Sequence, residues 1–430
     1  MTGPAEAPTN ASLIEEAPEQ RRTLAVVLLA QILSGAGLAA GITVGALLAE
    51  QMLGSSRLSG LPTVFFTIGS AAAAVSLGWV SQRFGRRTGL SAGYLTGAVG
   101  SLGVVLAASI GNIVLLFASL LVYGAGAATN LQARYAGADL AAPSRRGRAV
   151  SIVLVATAVG AILGPNLVEV TGAVATAAGV PALAGPFMLA ALAYVAGALV
   201  LWLLLRPDPL LLARSMAAAA ASQGNEPTSQ PLRSTAAPGS RRTWSWALAS
   251  GAGIMILTQL IMVAIMTITP IHIEHHGYGI GVTGIVIGAH VAGMFLPSPF
   301  SGWLVDRLGY LAVAVAAGVT LLAAGLIAAW APADSVATLV LALALLGVGW
   351  NLGLVSGTTL VTNAAPLETR ARTQGVVDLG IALAGAAAGL SSGLVIAASS
   401  FAALSLAGGL LALLIIPIAA VARTDAVRQA

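Results

Sequence analysis

The sequence predicts an all-α membrane protein whose twelve transmembrane helices form two six-helix bundles. Three observations predict it: an apolar composition, repeated long apolar runs, and arginines that fall on one side of the expected spans. Of the 430 residues, 57% are hydrophobic and only 8% are charged, whereas soluble domains carry roughly 25% charged residues. So few charges cannot cover the surface of a soluble globule, and the composition excludes a water-soluble enzyme.

The apolar runs define twelve expected spans, each long enough for a helix that satisfies its own backbone hydrogen bonds in lipid. The first run follows a polar segment, residues 1–22, and is too long to be the apolar region of a cleaved signal peptide. We place the spans at 23–50, 59–81, 88–107, 112–133, 148–171, 182–205, 243–270, 281–305, 310–330, 336–358, 374–396 and 401–422.

A segment rich in Pro, Ser, Ala and Gln, residues 206–242, divides the spans into six and six. Such a composition is typical of a flexible linker, although the Ala-rich piece at 216–221 favours a short surface helix. The predicted organisation is a cytoplasmic tail, a bundle, a cytoplasmic linker, a second bundle and a second tail. Their bounds are 1–22, 23–205, 206–242, 243–422 and 423–430.

All 20 basic residues are arginine, and their distribution predicts the orientation of the chain in the membrane. With twelve spans, 19 arginines fall on the side of both termini, and Arg57 alone falls on the other side. Because cytoplasmic loops are enriched in basic residues, both termini are expected in the cytoplasm. The net charge of +5 therefore reflects topology, and we expect the chain to contact the lipid bilayer and no nucleic acid.

The chain contains neither lysine nor cysteine, which excludes several function classes. Without lysine it has no Walker-A phosphate site and no Schiff base. Without cysteine it has no disulfide, iron–sulfur cluster or zinc–thiolate site. No hydrolytic motif is present, so we expect no enzyme activity, no catalytic residue and no cofactor. A transporter of this composition would draw on an ion gradient or on the gradient of its solute.

A short motif follows the second span of each half. Its first copy runs from Gly78 to Arg87 and its second from Gly302 to Gly309. Glycines allow a tight loop between two helices, arginines hold that loop at the cytoplasmic surface, and an Asp can pair with a neighbouring helix N-terminus. The motif residues are Gly78, Gln82, Arg83, Gly85 and Arg86 in the first half and Gly302, Asp306, Arg307 and Gly309 in the second.

This repeat resembles the loop signature of the major facilitator superfamily, and the six-plus-six layout resembles that superfamily over nearly the whole chain. The resemblance implies two bundles related by a pseudo-twofold axis, a substrate site near the midplane and transport by alternating access. Gln82 stands where the signature has Asp, whereas Asp306 keeps it. This departure questions a charge-based latch in the first half and leaves the expected fold unchanged.

Spans 7 and 8 carry a set of soft ligands. Met262 and Met266 are spaced i, i+4, as are His290 and Met294, so each pair projects from one helix face. At 1.5 Å per residue, Met262 and His290 lie at similar depths, about 12 and 13 Å from the outer helix ends. Thioether and imidazole groups suit Cu(I). A second interpretation is that the methionines only pack and that His290 is a proton site or a packed polar group.

The two pairs resemble the MxxxM and HxxxM motifs of the CcoA-like copper importers, a branch of the same superfamily. The resemblance implies a copper-binding role for Met262, Met266, His290 and Met294. The branch also includes transporters of other solutes, riboflavin among them. The alternative function is therefore proton-coupled transport of a small organic solute, as in drug efflux or vitamin uptake. A third possibility is a non-transporting membrane receptor built on this fold, which would move no solute across the membrane.

Three further polar features open other roles. His272, His275 and His276 follow span 7 on the outer side and form either a metal-capture patch or a solvated loop. Asp378, about one turn inside span 11, either carries a coupling proton, or pairs with Arg372, or caps helix ends near the cytoplasmic gate. A gate network is expected at the end of span 4 and in the loop that follows it, from Asn130, Gln132, Arg134, Tyr135, Asp139 and the Arg145–Arg148 loop.

The preferred function is copper uptake as Cu(I), through exchangeable coordination by the ligands on spans 7 and 8. Copper is expected as the solute and not as a resident cofactor. An Ala-rich chain that uses arginine as its only basic residue fits a high-GC bacterium, so we expect a bacterial cytoplasmic membrane protein. We also expect a monomer.

Overall fold

A computed structural model of the chain describes residues 18–53, 61–222, 245–278, 280–332 and 335–429. These residues form sixteen α-helices and two short 3₁₀ helices, and none of them lies in a β-strand. Most of the predicted N-terminal tail, Arg57 and linker residues 223–242 lie outside the described residues.

Seven helices form the N-terminal bundle. They are α1 (Glu19–Leu53), α2 (Leu61–Phe84), α3 (Arg86–Ile110), α4 (Ile113–Ala138), α5 (Arg146–Asn166), α6 (Val168–Ala177) and α7 (Gly185–Leu204). Predicted span 5 is divided between α5 and α6, and each of the other five spans is one helix. Asn112 begins α4, because its side chain accepts a hydrogen bond from the backbone N–H of Leu115 (3.0 Å), which the first turn otherwise leaves unpaired.

The linker begins with a fourteen-residue helix, α8 (Pro209–Ser222), which is longer than the piece that the sequence favours. It starts at Pro209 because the carboxylate of Asp208 accepts hydrogen bonds from the backbone N–H groups of Leu210 and Leu211 (3.0 and 3.1 Å). The side chain of Leu210 is fully buried. This end of the linker is therefore docked on the rest of the protein.

Eight helices form the C-terminal bundle. They are α9 (Trp246–His275), α10 (Ile280–Phe295), α11 (Ser298–Leu308), α12 (Tyr310–Ala329), α13 (Val336–Ala364), α14 (Arg370–Ala398), α15 (Phe401–Ala412) and α16 (Ile415–Gln429). Predicted spans 8 and 12 are each divided into two helices. Pro297 directly precedes α11, and Pro417 lies in the first turn of α16. Proline lacks a backbone N–H and clashes with the preceding turn, so it favours the start of a helix over its interior.

The helices are long enough to account for the twelve predicted spans. Ten stretches of helix among the described residues are both long and apolar enough to cross a membrane. The two remaining spans correspond to α1, with 35 residues, and α5, with 21 residues. Both meet the length of about 20 residues that a bilayer requires.

A buried polar network holds the N-terminal bundle together. Tyr94 and Tyr194 stack with their ring centroids 5.6 Å apart. The side-chain carbonyl of Gln31 accepts a hydrogen bond from the Tyr94 hydroxyl. Its amide donates to Asn130 Oδ1 (3.0 Å) and Thr157 Oγ1 (2.7 Å). These bonds connect α1, α3, α4 and α5, so four helices share one satisfied polar core.

The bundles contact each other chiefly through α2 against α14 and α5 against α11. Each pair joins the second span of one half to the fifth span of the other, as a pseudo-twofold axis between the bundles requires. The predicted all-α, two-bundle fold is confirmed. The contacts lie toward the face at which α2 and α11 end and α5 and α14 begin. We call it the arginine-rich face, because it carries Arg83, Arg146, Arg307 and Arg370.

Candidate functional site

A cavity of about 710 Å³ lies between the two bundles. Its walls are mostly small and apolar side chains from α2, α4, α9, α13 and α14, with aromatic rings from Phe66, Phe295 and Trp350. Along α14 it extends from Asp378 to Leu390, about 18 Å of helix, away from the arginine-rich face. Polar side chains at the wall include Thr63, Thr67, Ser70, Asn130, Thr157, Gln259, Thr267 and Asp378.

Asp378 closes the end of the cavity nearest the arginine-rich face. Its Oδ1 accepts hydrogen bonds from Arg134 Nη2 (2.7 Å) and from the Tyr135 hydroxyl (3.1 Å), both on α4 of the other bundle. Arg134 Nε also donates to Thr358 Oγ1 on α13 (3.0 Å). Among the described residues, Oδ2 of Asp378 has no partner, although it is buried. The partner of Asp378 is thus Arg134, and the alternative pairing with the exposed Arg372 is wrong.

The predicted gate network is divided among three separate contacts. Asp139 forms an ion pair with Arg86 of the antiparallel helix α3, whose Nε lies 2.8 Å from Oδ2, and its charge also acts on Arg146 of the predicted loop. Asn130 bonds within its own bundle, to Gln31. Gln132 donates to the backbone carbonyl of Ala74 on α2 (2.7 Å). These residues do not form one network because successive positions on α4 point in different directions and therefore face different neighbouring helices.

A neutral amide forms the latch between the bundles in the first half. Oε1 of Gln82 accepts hydrogen bonds from the backbone N–H groups of Ala371 (2.7 Å) and Arg372 (3.3 Å), in the first turn of α14. Its Nε2 donates to the backbone carbonyls of Leu367 (3.2 Å) and Glu368 in the loop before α14. A carboxylate could make only the first pair of bonds, because it has no N–H to donate. The loss of charge at this position therefore leaves a latch with both donor and acceptor contacts.

A carboxylate forms the equivalent latch in the second half. Asp306 Oδ1 accepts from the backbone N–H of Gly147 (2.8 Å), and Oδ2 accepts from that of Arg148 (3.1 Å), in the first turn of α5. The Arg148 guanidinium lies 3.9 Å from the same carboxylate and is half exposed. Both motif copies thus cap a helix N-terminus of the opposite bundle, where backbone N–H groups favour an acceptor.

Glycines of the two motifs allow the bundles to approach closely. A Cβ atom at Gly78 would lie 2.7 Å from the carbonyl oxygen of Ala371 and 2.9 Å from the Cα of Gly375. A Cβ atom at Gly302 would lie 2.6 Å from the carbonyl oxygen of Gly147. Such distances are too short for any side chain. The arginine-rich face is closed by backbone-to-backbone packing.

The remaining motif residues shape the two loops. Gly85 and Gly309 have φ angles of +91° and +86°, which favour glycine. The Arg83 guanidinium lies 5.6 Å from the ring centroid of Trp79, and that of Arg307 lies 5.2 Å from Trp303. These cation–π pairs place a cation and an indole together at each loop. Arg86 differs from them: it is buried, and besides Asp139 it donates to Gln374 across the bundle boundary.

Helix α8 lies across the boundary between the bundles. Arg214 Nη1 donates to the backbone carbonyl of Gln82 at the end of α2 (2.9 Å), and Nε donates to that of Leu367 before α14 (3.1 Å). Asp208 accepts from the backbone N–H of Arg87 (2.8 Å). The linker helix thereby contacts both bundles on the closed face.

The predicted copper ligands lie in the core of the C-terminal bundle. Met262 is buried there, and Met266 and Met294 are half-buried against the same core. Nδ1 of His290 lies 2.9 Å from the Leu343 carbonyl, while Nε2 is buried without a hydrogen-bond partner among the described residues. The lining of the cavity includes the sequence neighbours Val263, Thr267 and Phe295 and, within the described chain, none of the four ligands. Their convergence on one ion stays a prediction.

The outer histidines form a small ring cluster at the end of α9. The His272 ring stacks on Phe401 with a centroid distance of 4.1 Å and lies 4.3 Å from the His276 ring. Nδ1 of His276 lies 2.7 Å from the backbone carbonyl of His272, and His275 is exposed. Over the described ranges, no group of three or more His, Cys, Asp or Glu side chains could hold a metal ion. Metal capture by these histidines stays a prediction.

Gln259 and Asn351 are single polar residues within apolar spans, and the structure gives them partners. Trp350 Nε1 donates to Gln259 Oε1 (2.7 Å) at the cavity wall. Asn351 Nδ2 donates to Ser298 Oγ (2.6 Å), which joins α13 to α11. Arg214 and Asp208 of the linker carried no signal at all, since a Pro-rich segment predicts no fixed contacts.

Comparisons with known proteins agree with this architecture. The profile of the Major Facilitator Superfamily matches residues 27–283 and 251–430. The chain is 54% identical to the uncharacterized MFS-type transporter YdeG of Bacillus subtilis (strain 168) over 398 residues. This alignment covers 93% of this chain and 91% of YdeG. It is 30% identical to the riboflavin transporter RfnT of Brucella anthropi over 374 residues, and this alignment covers 84% of this chain and 86% of RfnT.

Solved structures share the fold at low sequence identity. The human organic anion transporter MFSD10 superposes with a TM-score of 0.74 at 18% identity, over 94% of this chain and all of that one (100%). The proton:xylose symporter XylE gives a TM-score of 0.71 at 16% identity, over 94% of this chain and 95% of that one. The resemblance to the copper importers stays a prediction beside these relatives.

Proposed function

Since the chain belongs to the major facilitator superfamily and is a multi-pass membrane transporter of that type, we propose that it moves a small planar organic solute by alternating access. The solute binds in the cavity between the bundles. The arginine-rich face is cytoplasmic, so the described conformation is closed to the cytoplasm. The protein resides in the bacterial cytoplasmic membrane with both termini inside.

The observation that carries this proposal is the size and chemistry of the cavity. Its volume of about 710 Å³ lies within the range of roughly 300–1,000 Å³ of small-molecule sites. A single coordinated metal ion needs far less space. The apolar walls and three aromatic rings favour a flat, largely apolar solute, and the few polar groups fix its orientation.

The polar groups also set a length for the solute. The two polar groups are Asp378 and Gln259, and the amide of Gln259 lies next to Gly385 of α14. Asp378 and Gly385 are seven residues apart on this helix, which corresponds to about 10 Å. A fused two- or three-ring solute bridges this distance. The riboflavin transporter RfnT, 30% identical to the chain, supports the same class, because a flavin is such a ring system.

The energy source in this proposal is an ion gradient, and Asp378 is the coupling group. It faces the cavity, and its Oδ2 is unpaired within the described structure. An ionisable residue at membrane depth marks an ion pathway by default. Protonation of Asp378 would weaken its attraction to Arg134 and thereby loosen the closed face.

Uptake into proteoliposomes tests this function, with radiolabelled riboflavin as the probe solute. We expect the wild type to accumulate riboflavin when a proton gradient is imposed. The Asp378→Asn variant should lose gradient-driven accumulation and keep solute exchange, since an amide cannot carry the proton. Asp139→Asn, which alters an ion pair within one bundle, is the matched control and should keep accumulation. No flux of riboflavin or of other fused-ring solutes through the folded protein would overturn the proposal.

Copper uptake is the second candidate, and one observation favours it. His290 presents a buried Nε2 with no described partner, beside a core that contains Met262 and is contacted by Met266 and Met294. A neutral imidazole and thioethers are suitable ligands for Cu(I). Alternating access could bring these side chains to the cavity in another conformation.

Radiolabelled copper uptake in cells tests this candidate. Met262→Ala and His290→Ala should each reduce accumulation, while Met216→Ala, at an exposed position on α8, should not. Copper accumulation that is the same in all three variants and the wild type would eliminate copper as the substrate.

A further inference from the structure

One hydrogen bond fixes the orientation of the Gln259 amide. The indole Nε1–H of Trp350 lies 2.7 Å from Gln259 Oε1. An indole nitrogen can only donate, so the amide oxygen must face Trp350 and the NH₂ group must face the other way. The side chain of Trp350 is 6% exposed and its ring makes an edge contact with Phe295, at a centroid distance of 6.0 Å. Trp350 is itself held in place.

The freed NH₂ group lies at the cavity wall. A Cβ atom at Gly385 on α14 would lie 3.3 Å from Gln259 Nε2, so only glycine leaves this amide unobstructed. Within the described residues, Nε2 has no hydrogen-bond partner. On the opposite wall, Asn130 and Thr157 already donate elsewhere: Asn130 Nδ2 donates to Ser34 Oγ (3.2 Å), and Thr157 Oγ1 donates to a backbone carbonyl of its own helix (3.2 Å). Gln259 is therefore the amide donor that remains available to a solute.

We propose that Trp350 is a positioning residue that holds the Gln259 amide as a hydrogen-bond donor, so that the cavity selects planar solutes with a carbonyl or ring-nitrogen acceptor. This inference rests on the proposed function and names the chemical class of its solute. A solute without the acceptor leaves the N–H groups unpaired when it displaces water, and such a loss lowers affinity. A free glutamine would adapt by rotating its amide, and Trp350 prevents this rotation.

A matched pair of probes isolates the acceptor. Acridone and 9,10-dihydroacridine share a three-ring frame and differ in a carbonyl that replaces a methylene group. Binding of each to the purified protein is measured by fluorescence anisotropy, without any need for transport. We expect the wild type to prefer acridone by about tenfold, the effect of one well-placed hydrogen bond.

Two variants separate positioning from simple contact. Trp350→Phe keeps the ring and removes the donor, so the Gln259 amide rotates freely and the preference should fall to about twofold or less. Gln259→Glu keeps an acceptor for Trp350 and turns an oxygen toward the solute, so the preference should vanish even if Trp350→Phe fails to fold. Gly393→Ala is the control, because Gly393 lies outside the cavity lining and its Cβ would have no atom within 4 Å.

The outcomes distinguish this inference from the proposed function. An acridone preference that Trp350→Phe and Gln259→Glu abolish and Gly393→Ala keeps supports the inference, even if riboflavin uptake fails. Equal binding of the two probes to the wild type, or binding of neither, overturns it. A preference that survives in both variants overturns it as well, even if riboflavin is transported.

Discussion

Replacing Asp378 with Asn should open the arginine-rich face. Arg134 is fully buried, and its carboxylate partner comes from the opposite bundle. Removing one partner of a buried ion pair costs about 3–5 kcal/mol, because the other charge stays buried and uncompensated. Arg134 keeps its bonds to Thr358 and to the backbone carbonyl of Leu131, and the amide oxygen of the new side chain can still accept, so we take the lower end, about 3 kcal/mol.

This penalty applies only while the face is closed. When the bundles separate at this face, water reaches Arg134 and solvates its charge, so the variant's closed state alone is destabilised. A difference of about 3 kcal/mol corresponds to a ratio of open to closed molecules that rises roughly 100-fold. The substitution thus shifts the equilibrium toward the state that is open at the arginine-rich face.

Spin labels across the boundary measure that ratio. The chain has no cysteine, so Ser144→Cys and Thr369→Cys introduce the only two labels. Both positions are exposed, one before α5 and the other before α14. Double electron–electron resonance should show a longer distance gaining population in Asp378→Asn.

A control with equal burial makes the experiment decisive. Tyr94→Phe removes a buried hydroxyl whose bonds to Ser34 and Gln31 lie within the N-terminal bundle, so it should lower the melting temperature without changing the distance distribution. An unchanged distribution in Asp378→Asn, or an equal change in both variants, would refute the reasoning.

Three further predictions concern the closed face. Gly375→Ala places a Cβ atom 3.0 Å from the Cα of Gly78, so the same spin-label pair should report opening, whereas Gly393→Ala on the same helix, with no atom within 4 Å, should not. Arg214→Ala should release α8 and increase cleavage of the linker by a Glu-specific or nonspecific protease; Ser215→Ala, which loses only a bond within its own helix, should match the wild type. Asp306→Ala removes a cap for two backbone N–H groups of α5, worth about 1 kcal/mol, and should raise the open fraction roughly fivefold, an effect that would be absent if the latch were passive.

Much of the fold could be predicted from the sequence, because a bilayer imposes long apolar helices and arginines mark the faces between them. The motif copies at Gln82 and Asp306 were also recognisable, since both the tight loop and the acceptor side chain are local features. The division of span 8 could be traced to Pro297 in retrospect. Features that depend on a single helix or loop could thus be predicted from the sequence.

Partners on other helices were not readable. Arg134 and Asp378 are 244 positions apart, and Gln259 and Trp350 are 91 apart. Helices that are apolar on all sides give no periodic signal for the direction in which each face points. Met262 and Val263 illustrate this limit: one position is a rotation of about 100°, and it places Val263 at the cavity and Met262 in the core.

The break in span 8 lies beside the cavity. Pro297 follows Phe295, which lines the cavity, and interrupts the helical hydrogen-bond ladder at that level. Below the break, α11 is packed against α5 of the other bundle; above it, α10 packs against α13 of its own bundle. In the proposed transport cycle, such a break would let α10 move over a bound solute while α11 stays packed against α5. Enclosing the solute and opening the arginine-rich face would then be two separate steps, each with its own rate.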